Sequence, residues 1–595
     1  MYEQIFDPVA GSLALSSLVA ALPLLTIFLL LGVLKMKAQW AALIALAVAL
    51  LVAILVYRMP VGQALSSATE GAVFGIFPIM WIVINAIWIY TMTVATGHFD
   101  VLRRSFGTVS RDQRIQAIII AFCFGGLMEA LAGFGTPVAI SSVMLIALGF
   151  RPLKAAAVAL VANTAPVAFG AIAVPITTLA KITGIPVHDL ASTVGRQTPV
   201  LALIVPLVLV FMVDGRRGLR QVWLPAVLSG VVFAVAQFVS SNYLSVELTD
   251  IIASLAAAAA VVLLLRVWKP VEELTAETLS EDELLERIAD ATATAHAVET
   301  GGTRRGRVGA LSSTGGSSAG ESADTGLRAT NGADAVVPGA GTGAARLPDR
   351  GVEVLKAYAP YLIIIAVFSL AQIQAVASFL AHGATSFAWP GLDIVTPNGK
   401  PPSAVTFAFG YLPSAGTLLL FSGLITMLVL ALSPGAALRA YWKTLDQLKW
   451  AILTVAAVLA LAYVMNFSGQ TITIGRWMAG AGGLFALLSP ILGWLGVAVT
   501  GSDTSSNALF GTLQVAAAKQ AGLDPVLLAA ANSSGGVLGK MISPQNLAIA
   551  AAATGMAGKE GELFRKVTGW SLGFLVFMCL LVYLQSTPVL GWMLP

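Results

Sequence analysis

Three charged residues stand inside otherwise apolar stretches of this sequence: Glu129 in MEALAGFGTPVAI (128–140), Asp503 in TGSDTSSN (500–507) and Lys540 in GGVLGKMISPQNLAIA (535–550). An isolated charge at the centre of a bilayer costs at least ~2.5 kcal/mol on insertion scales, so each needs a reason to be there. Asp503 either caps the helix that SSNALFGTLQ would form or is a buried carboxyl that carries a proton. Glu129 either holds its own turn by hydrogen bonds or relays protons. Lys540 either pairs with one of these acids or meets the carboxylate of a substrate. Arg196, in VGRQTP, either marks the end of a span or draws anions inward.

Groups that could hold a small anion surround these charges. Gly133 permits close backbone approach, and Thr136, Thr164, Ser502, Thr504, Ser533 and Ser534 supply hydroxyls. Asn163 and Asn532 supply amides. Half-helices that begin at such glycine- and proline-marked breaks aim free N–H groups and the positive end of a dipole at the centre, which suits a carboxylate. His98, His188, His296 and His382 fall in or near loops, while Cys123 and Cys579 lie in apolar runs as free thiols. No metal or cofactor is therefore expected.

What positions these residues is set by composition. Of 595 residues, 57% are apolar and only 11% are Asp, Glu, Lys or Arg. The mean hydropathy is +0.86. So little charge does not cover the surface of a soluble chain of this length. Runs such as 13–34, 40–57, 222–239 and 567–584 are long enough as helix to cross ~30 Å of hydrocarbon. The expected fold is an all-α polytopic membrane protein with about 12 transmembrane helices. A net charge of +4, spread between spans, gives no reason to expect nucleic-acid binding. The lipid bilayer is the implied partner.

Residues 269–352 break the pattern, being rich in Gly, Ala, Ser and Thr with no Phe, Trp or Tyr. Such a segment reads as a disordered linker, with one local exception where Ser280 to Glu283 forms a capping box. Basic clusters such as Lys35/Lys37, Arg103/Arg104/Arg111/Arg114, Arg216/Arg217/Arg220 and Arg565/Lys566 orient the spans, because Lys and Arg collect in short cytoplasmic loops. Satisfying them all places both termini outside and the linker in the cytoplasm. It also turns 115–150 and 478–519 into re-entrant hairpins with tips at 129–137 and 501–506. The crossings 154–182 and 525–558 are broken near Asn163–Pro166 and Asn532–Gly536.

The order then repeats. Residues 1–213 hold three spans, a hairpin, a broken helix and a span; 214–268 are two connecting spans; 353–595 repeat the first unit inverted. Pro175 and Pro544 each lie twelve residues after their asparagine. Inverted repeats with broken helices are an architecture of secondary transporters, with the site where the breaks meet.

At these residues the sequence resembles the lactate permease family of bacterial 2-hydroxyacid transporters. The stretches that carry it are MEALAGFGTPVAI (128–140), NTAPVAFGA (163–171), GRQ (195–197), GSDTSSNALFGTLQ (501–514) and GGVLGKMISPQNLAIA (535–550). The resemblance implies proton-coupled uptake of L-lactate, and often glycolate, across the bacterial inner membrane, so the partners are a small anion and protons, with a homodimer as one open assembly state. It does not imply an enzyme. The competing reading is a sodium-coupled di- or tricarboxylate transporter, because hydroxyl-rich hairpin tips also suit Na⁺.

Overall fold

The computed structural model describes residues 1–275, 351–396 and 405–595, apart from Lys35, Thr108, Ala132, Phe134, Gln372 and Ala557. Most of the 269–352 linker, including the capping box at Ser280 to Glu283, lies outside the described residues. The fold is all-α and polytopic. Among the described residues, ten helices are long and apolar enough to cross a membrane, or up to eleven if the bent pair Pro152–Ala162 and Val167–Thr183 is taken as one span. Runs such as Ala38–Leu55 become helix because hydrocarbon offers the backbone no partner other than itself. The longest segment, Val187–Leu244, is bent where Asp214 and Gly215 leave helical geometry. Two short strand pairs lie outside the helices: Tyr2–Glu3 parallel to Ile394–Val395, and Ala384–Ala388 antiparallel to Thr406–Gly410.

By contacts, residues 1–280 and 351–595 make a single unit, so helices from both sequence halves interlock. Long helix Pro434–Ser468 packs on Ala38–Leu55 and Val61–Phe74, while Asp503–Ala521 packs on Gly170–Thr183.

Two helix–turn–helix units lie at the expected hairpins. The first runs from Gln113 through Gly125–Leu131, turns at Gly133 and Gly135, and continues as Thr136–Ala147. Gly135 takes φ 83°, a left-handed conformation that costs a residue with a side chain ~1–2 kcal/mol. The second pairs Phe485–Thr500 with Asp503–Ala521 across Gly501, at φ 76°.

One basic residue departs from its sequence reading. Arg114, counted among the cytoplasmic loop charges, is buried. Its guanidinium makes a two-point contact with Asp112, at 3.0 and 2.6 Å, and donates to Asp214 at 3.0 Å and to the Glu272 carbonyl at 2.6 Å. Leu274 N–H donates to Asp112 at 3.2 Å, so the start of the linker is tied to the base of the first hairpin. Hydrogen bonds from Arg217 and Gln221 hold the exposed Glu272 carboxyl below its usual range.

Candidate substrate and coupling site

The two broken helices are broken differently. Pro152–Ala162 ends at Asn163, followed by a short 3-10 turn over Val167–Phe169 and an extended Gly170. Ala171, Ile172 and Ala173 then take φ of 45°, 57° and 56° before the helix resumes. Three consecutive left-handed residues with side chains are strained, and such strain persists only where the surroundings fix it. One fixing contact is visible: a side chain on Gly170 would collide with the Glu129 carboxylate.

In the second broken helix the sequence reading needs correction. Asn532 to Gly536 are helical, within Pro525–Gly539, and the chain leaves helix at Lys540–Ile542 and Ser543. Pro544 has no N–H and fixes Ser543 in extended geometry, so the break falls there. Ser543 caps the half-helix Pro544–Ala553 by accepting from Asn546 N–H at 3.3 Å. Gly535 and Gly536 serve close packing instead: a side chain on Gly535 would overlap the Pro490 backbone, and one on Gly536 would overlap Asp503.

Both hairpin turns rest on that half-helix. Gly135 abuts Asn546 and Ile549, and Gly501 abuts Gln545. At this junction Lys540 Nζ lies 2.5 Å from Glu129 Oε1, with both side chains nearly out of reach of solvent, at 7% and 3% exposure. Asp503 lies in a neighbouring network. Its Oδ2 accepts from Ser533 Oγ at 2.6 Å and from Asn507 Nδ2 at 3.4 Å, and Lys540 is its charged neighbour. Asn532 donates to Asn507 Oδ1 at 2.9 Å, Gln514 donates to Asn532 Oδ1 at 3.3 Å, and Asn507 Nδ2 reaches the Pro175 carbonyl of the first broken helix at 3.2 Å. Asp503 does not cap its helix. Ser502, in extended geometry, does so by accepting from Ser505 N–H at 3.3 Å, which leaves the Asp503 carboxyl free to face Ser533.

The remaining site residues fall in several places. Gly133, at φ 47°, lies against Ala171 and close to Glu129. Asn163 is buried with neither side-chain atom hydrogen bonded, and Ser534 Oγ is buried in the same condition. Thr164 donates to the Val161 carbonyl. Thr136 begins the second arm of the first hairpin, and Thr504 is buried in the first turn of Asp503–Ala521. Arg196 is apart from the cluster, bound to Asn242 Oδ1 at 3.1 Å and the Met593 carbonyl at 2.9 Å. A cavity of about 930 Å³ reaches the second turn, lined among others by Lys37, Thr500, Ser502, Ser505, Gln545 and Glu560.

Sequence reasoning missed several polar residues here. Asn507 and Gln514 lie four and eleven positions after Asp503, a one-face helical spacing that was readable. Asp250, in the first turn of Thr249–Val267, is buried, with Oδ1 accepting from Gln237 Nε2 at 3.1 Å. Glu70, inside the long apolar stretch of Val61–Ala95, is buried with Lys181 as its charged neighbour.

An arrangement of breaks, buried acids and one lysine fits binding and release of a small anion together with a cation, and comparison with known sequences narrows it. The family model described as L-lactate permease matches residues 16–300 and 338–589. The chain belongs to the lactate permease family. An L-lactate permease of Bacillus subtilis (strain 168) is 40% identical over 100% of both chains. An L-lactate permease of Escherichia coli (strain K12) is 38% identical over 100% of both. A glycolate permease of the same strain is 37% identical over 98% of each chain. As a lactate permease family member with ten or more candidate spans, the chain is a multi-pass membrane protein.

Proposed function

We propose that this lactate permease family member takes up L-lactate, together with glycolate and related 2-hydroxymonocarboxylates, by proton symport across the plasma membrane. The observation that carries the reading is the buried cluster: Glu129, Asp503 and Lys540 gathered where two hairpin turns meet two broken helices. The names of full-length relatives supply the substrate class.

Lactate is an anion near neutral pH, and carrying it through a low-dielectric centre is expensive unless positive charge travels with it. Lys540 and the positive dipole end at the start of Pro544–Ala553 offer the carboxylate a cation and a favourable field. Ser533, Ser534, Asn163 and Asn532 are polar groups suited to the rest of a hydroxy acid. An ionised Asp503 repels that anion, so its protonation and lactate binding favour each other by the same factor. Glu129 holds Lys540 in the substrate-free protein and relays the proton. The cavity at the second turn is the route to the cytoplasm, since Lys37 and the Arg565/Lys566 side face inward in the topology that basic residues favour. That topology keeps both termini outside and makes residues 1–213 and 353–595 inverted repeats.

Counterflow of labelled L-lactate into proteoliposomes, with D-lactate, glycolate, pyruvate and succinate as competitors, tests the substrate class. Competition by glycolate and not by succinate is expected. Competition by succinate, together with a requirement for Na⁺ at fixed pH, favours the sodium-coupled alternative.

A further inference from the structure

We propose that Asp250, held by Gln237 next to the first broken helix, is a second proton-binding residue of the transport cycle. The inference rests on the proton-symport reading above and extends it to an acid outside the sequence motifs.

The argument begins with a count of charge. Three buried carboxyls, Glu129, Asp250 and Asp503, share one ammonium, Lys540, which is a charged neighbour of both aspartates and in direct contact with Glu129. Glu129 and Lys540 balance one another. Two carboxyls are left over, and an entering lactate adds a third negative charge. Uncompensated charge in a low-dielectric interior is expensive, so an anion that enters drives whichever of the two remaining acids is still ionised to its neutral form.

Geometry gives the two aspartates the same form. In Asp503 one oxygen accepts hydrogen bonds from Ser533 and Asn507, and the other has no partner. In Asp250 one oxygen accepts from Gln237 and the other has no partner among the described residues, at 1% exposure. A buried carboxylate oxygen with no donor is an expensive arrangement, whereas a protonated one can donate to whatever enters the site. Gln237 ties Asp250 to the first break, because its Nε2 also reaches the Ala165 carbonyl at 3.3 Å while its Oε1 accepts from Thr198 at 3.2 Å.

Other titratable groups on the packed elements are engaged elsewhere. Arg196 donates to Asn242 and the Met593 carbonyl, Lys181 has Glu70 as its charged neighbour, Glu247 accepts from Ser245, and Tyr243 is exposed. Cys123, on the first hairpin, is a buried thiol. Glu129 and Lys540 are therefore the charges that Asp250 responds to.

The test is the number of protons taken up when L-lactate binds, read with an indicator dye in weakly buffered detergent solution of the full chain at a series of starting pH values that extends to alkaline pH, where Asp250 is ionised before lactate arrives. Asp250→Asn is expected to take up about one proton fewer per lactate than the unaltered protein. Asp250→Ser is a smaller neutral replacement should the asparagine variant not fold, and the same loss is expected of it. Equal proton uptake at every starting pH in a folded neutral variant overturns the role of Asp250 and leaves symport standing. No proton uptake by the unaltered protein at any starting pH overturns the symport reading, and the proposal for Asp250 falls with it.

Discussion

Lys540 and Glu129 are 411 positions apart in sequence, yet their side chains meet at 2.5 Å inside the protein. The contact joins the second broken helix to the first hairpin, so the one lysine of the centre is shared between the two sequence halves. On the proposed reading its second consequence is a competition: a substrate carboxylate and Glu129, whose Oε2 has no partner among the described residues, both draw on Lys540.

Removing one member of this pair should therefore be costly in two separable ways. Lys540→Ala leaves Glu129 buried and uncompensated, a loss of about 3–5 kcal/mol of stability. The double variant Lys540→Met with Glu129→Gln removes both charges and should recover most of the thermal stability of the unaltered protein while still failing to bind lactate. Normal lactate affinity in either folded variant rules out a substrate role for Lys540.

The Arg114 network makes a structural prediction. Arg114→Ala leaves the fully buried Asp112 without its cation, and a loss of about 3–5 kcal/mol should follow. Because Arg114 and Asp112 also hold Glu272 and Leu274, amide exchange at 272–275 should rise in the variant. Unchanged exchange there would show that the segment is held by something else.

Close helix packing predicts a third effect. Gly535 lies against the backbone of Pro490, which cannot swing away as a side chain does. Gly535→Ala should lower stability by about 1–3 kcal/mol and disturb the Asp503–Ser533 contact on the adjacent residues. A melting temperature equal to that of the unaltered protein would mean that the helices separate easily at this point.

Much of this arrangement was readable in the sequence, and the failures have physical causes. Apolar run length located the membrane helices, since hydrocarbon thickness and helix rise leave little freedom. Glycine and proline marked both hairpin turns and the first break. The second break was placed too early because the glycines of Asn532 to Gly536 resemble a turn, whereas they make room for neighbouring backbone; the proline at 544 was the better signal. For Asp503 the sequence left a helix cap and a buried carboxyl both open, because an acid near a helix start often caps it; Ser502 fills the cap position. Asp250 was overlooked because an acid at the margin of an apolar run looks solvated, and only tertiary packing shows it buried against Gln237.

The most direct measurement is accumulation of L-lactate against its own gradient in proteoliposomes given a pH gradient, acid on the side of uptake and free of Na⁺. The unaltered protein should concentrate lactate, and the gain should vanish when a protonophore collapses the gradient. Asp503→Asn, fixed in a neutral form, should keep counterflow exchange and reach a clearly lower accumulation in the same pH gradient, because one proton carrier is gone. Accumulation by Asp503→Asn equal to that of the unaltered protein contradicts the role of Asp503, and uphill uptake by the unaltered protein that follows a Na⁺ gradient and ignores the pH gradient contradicts proton symport itself.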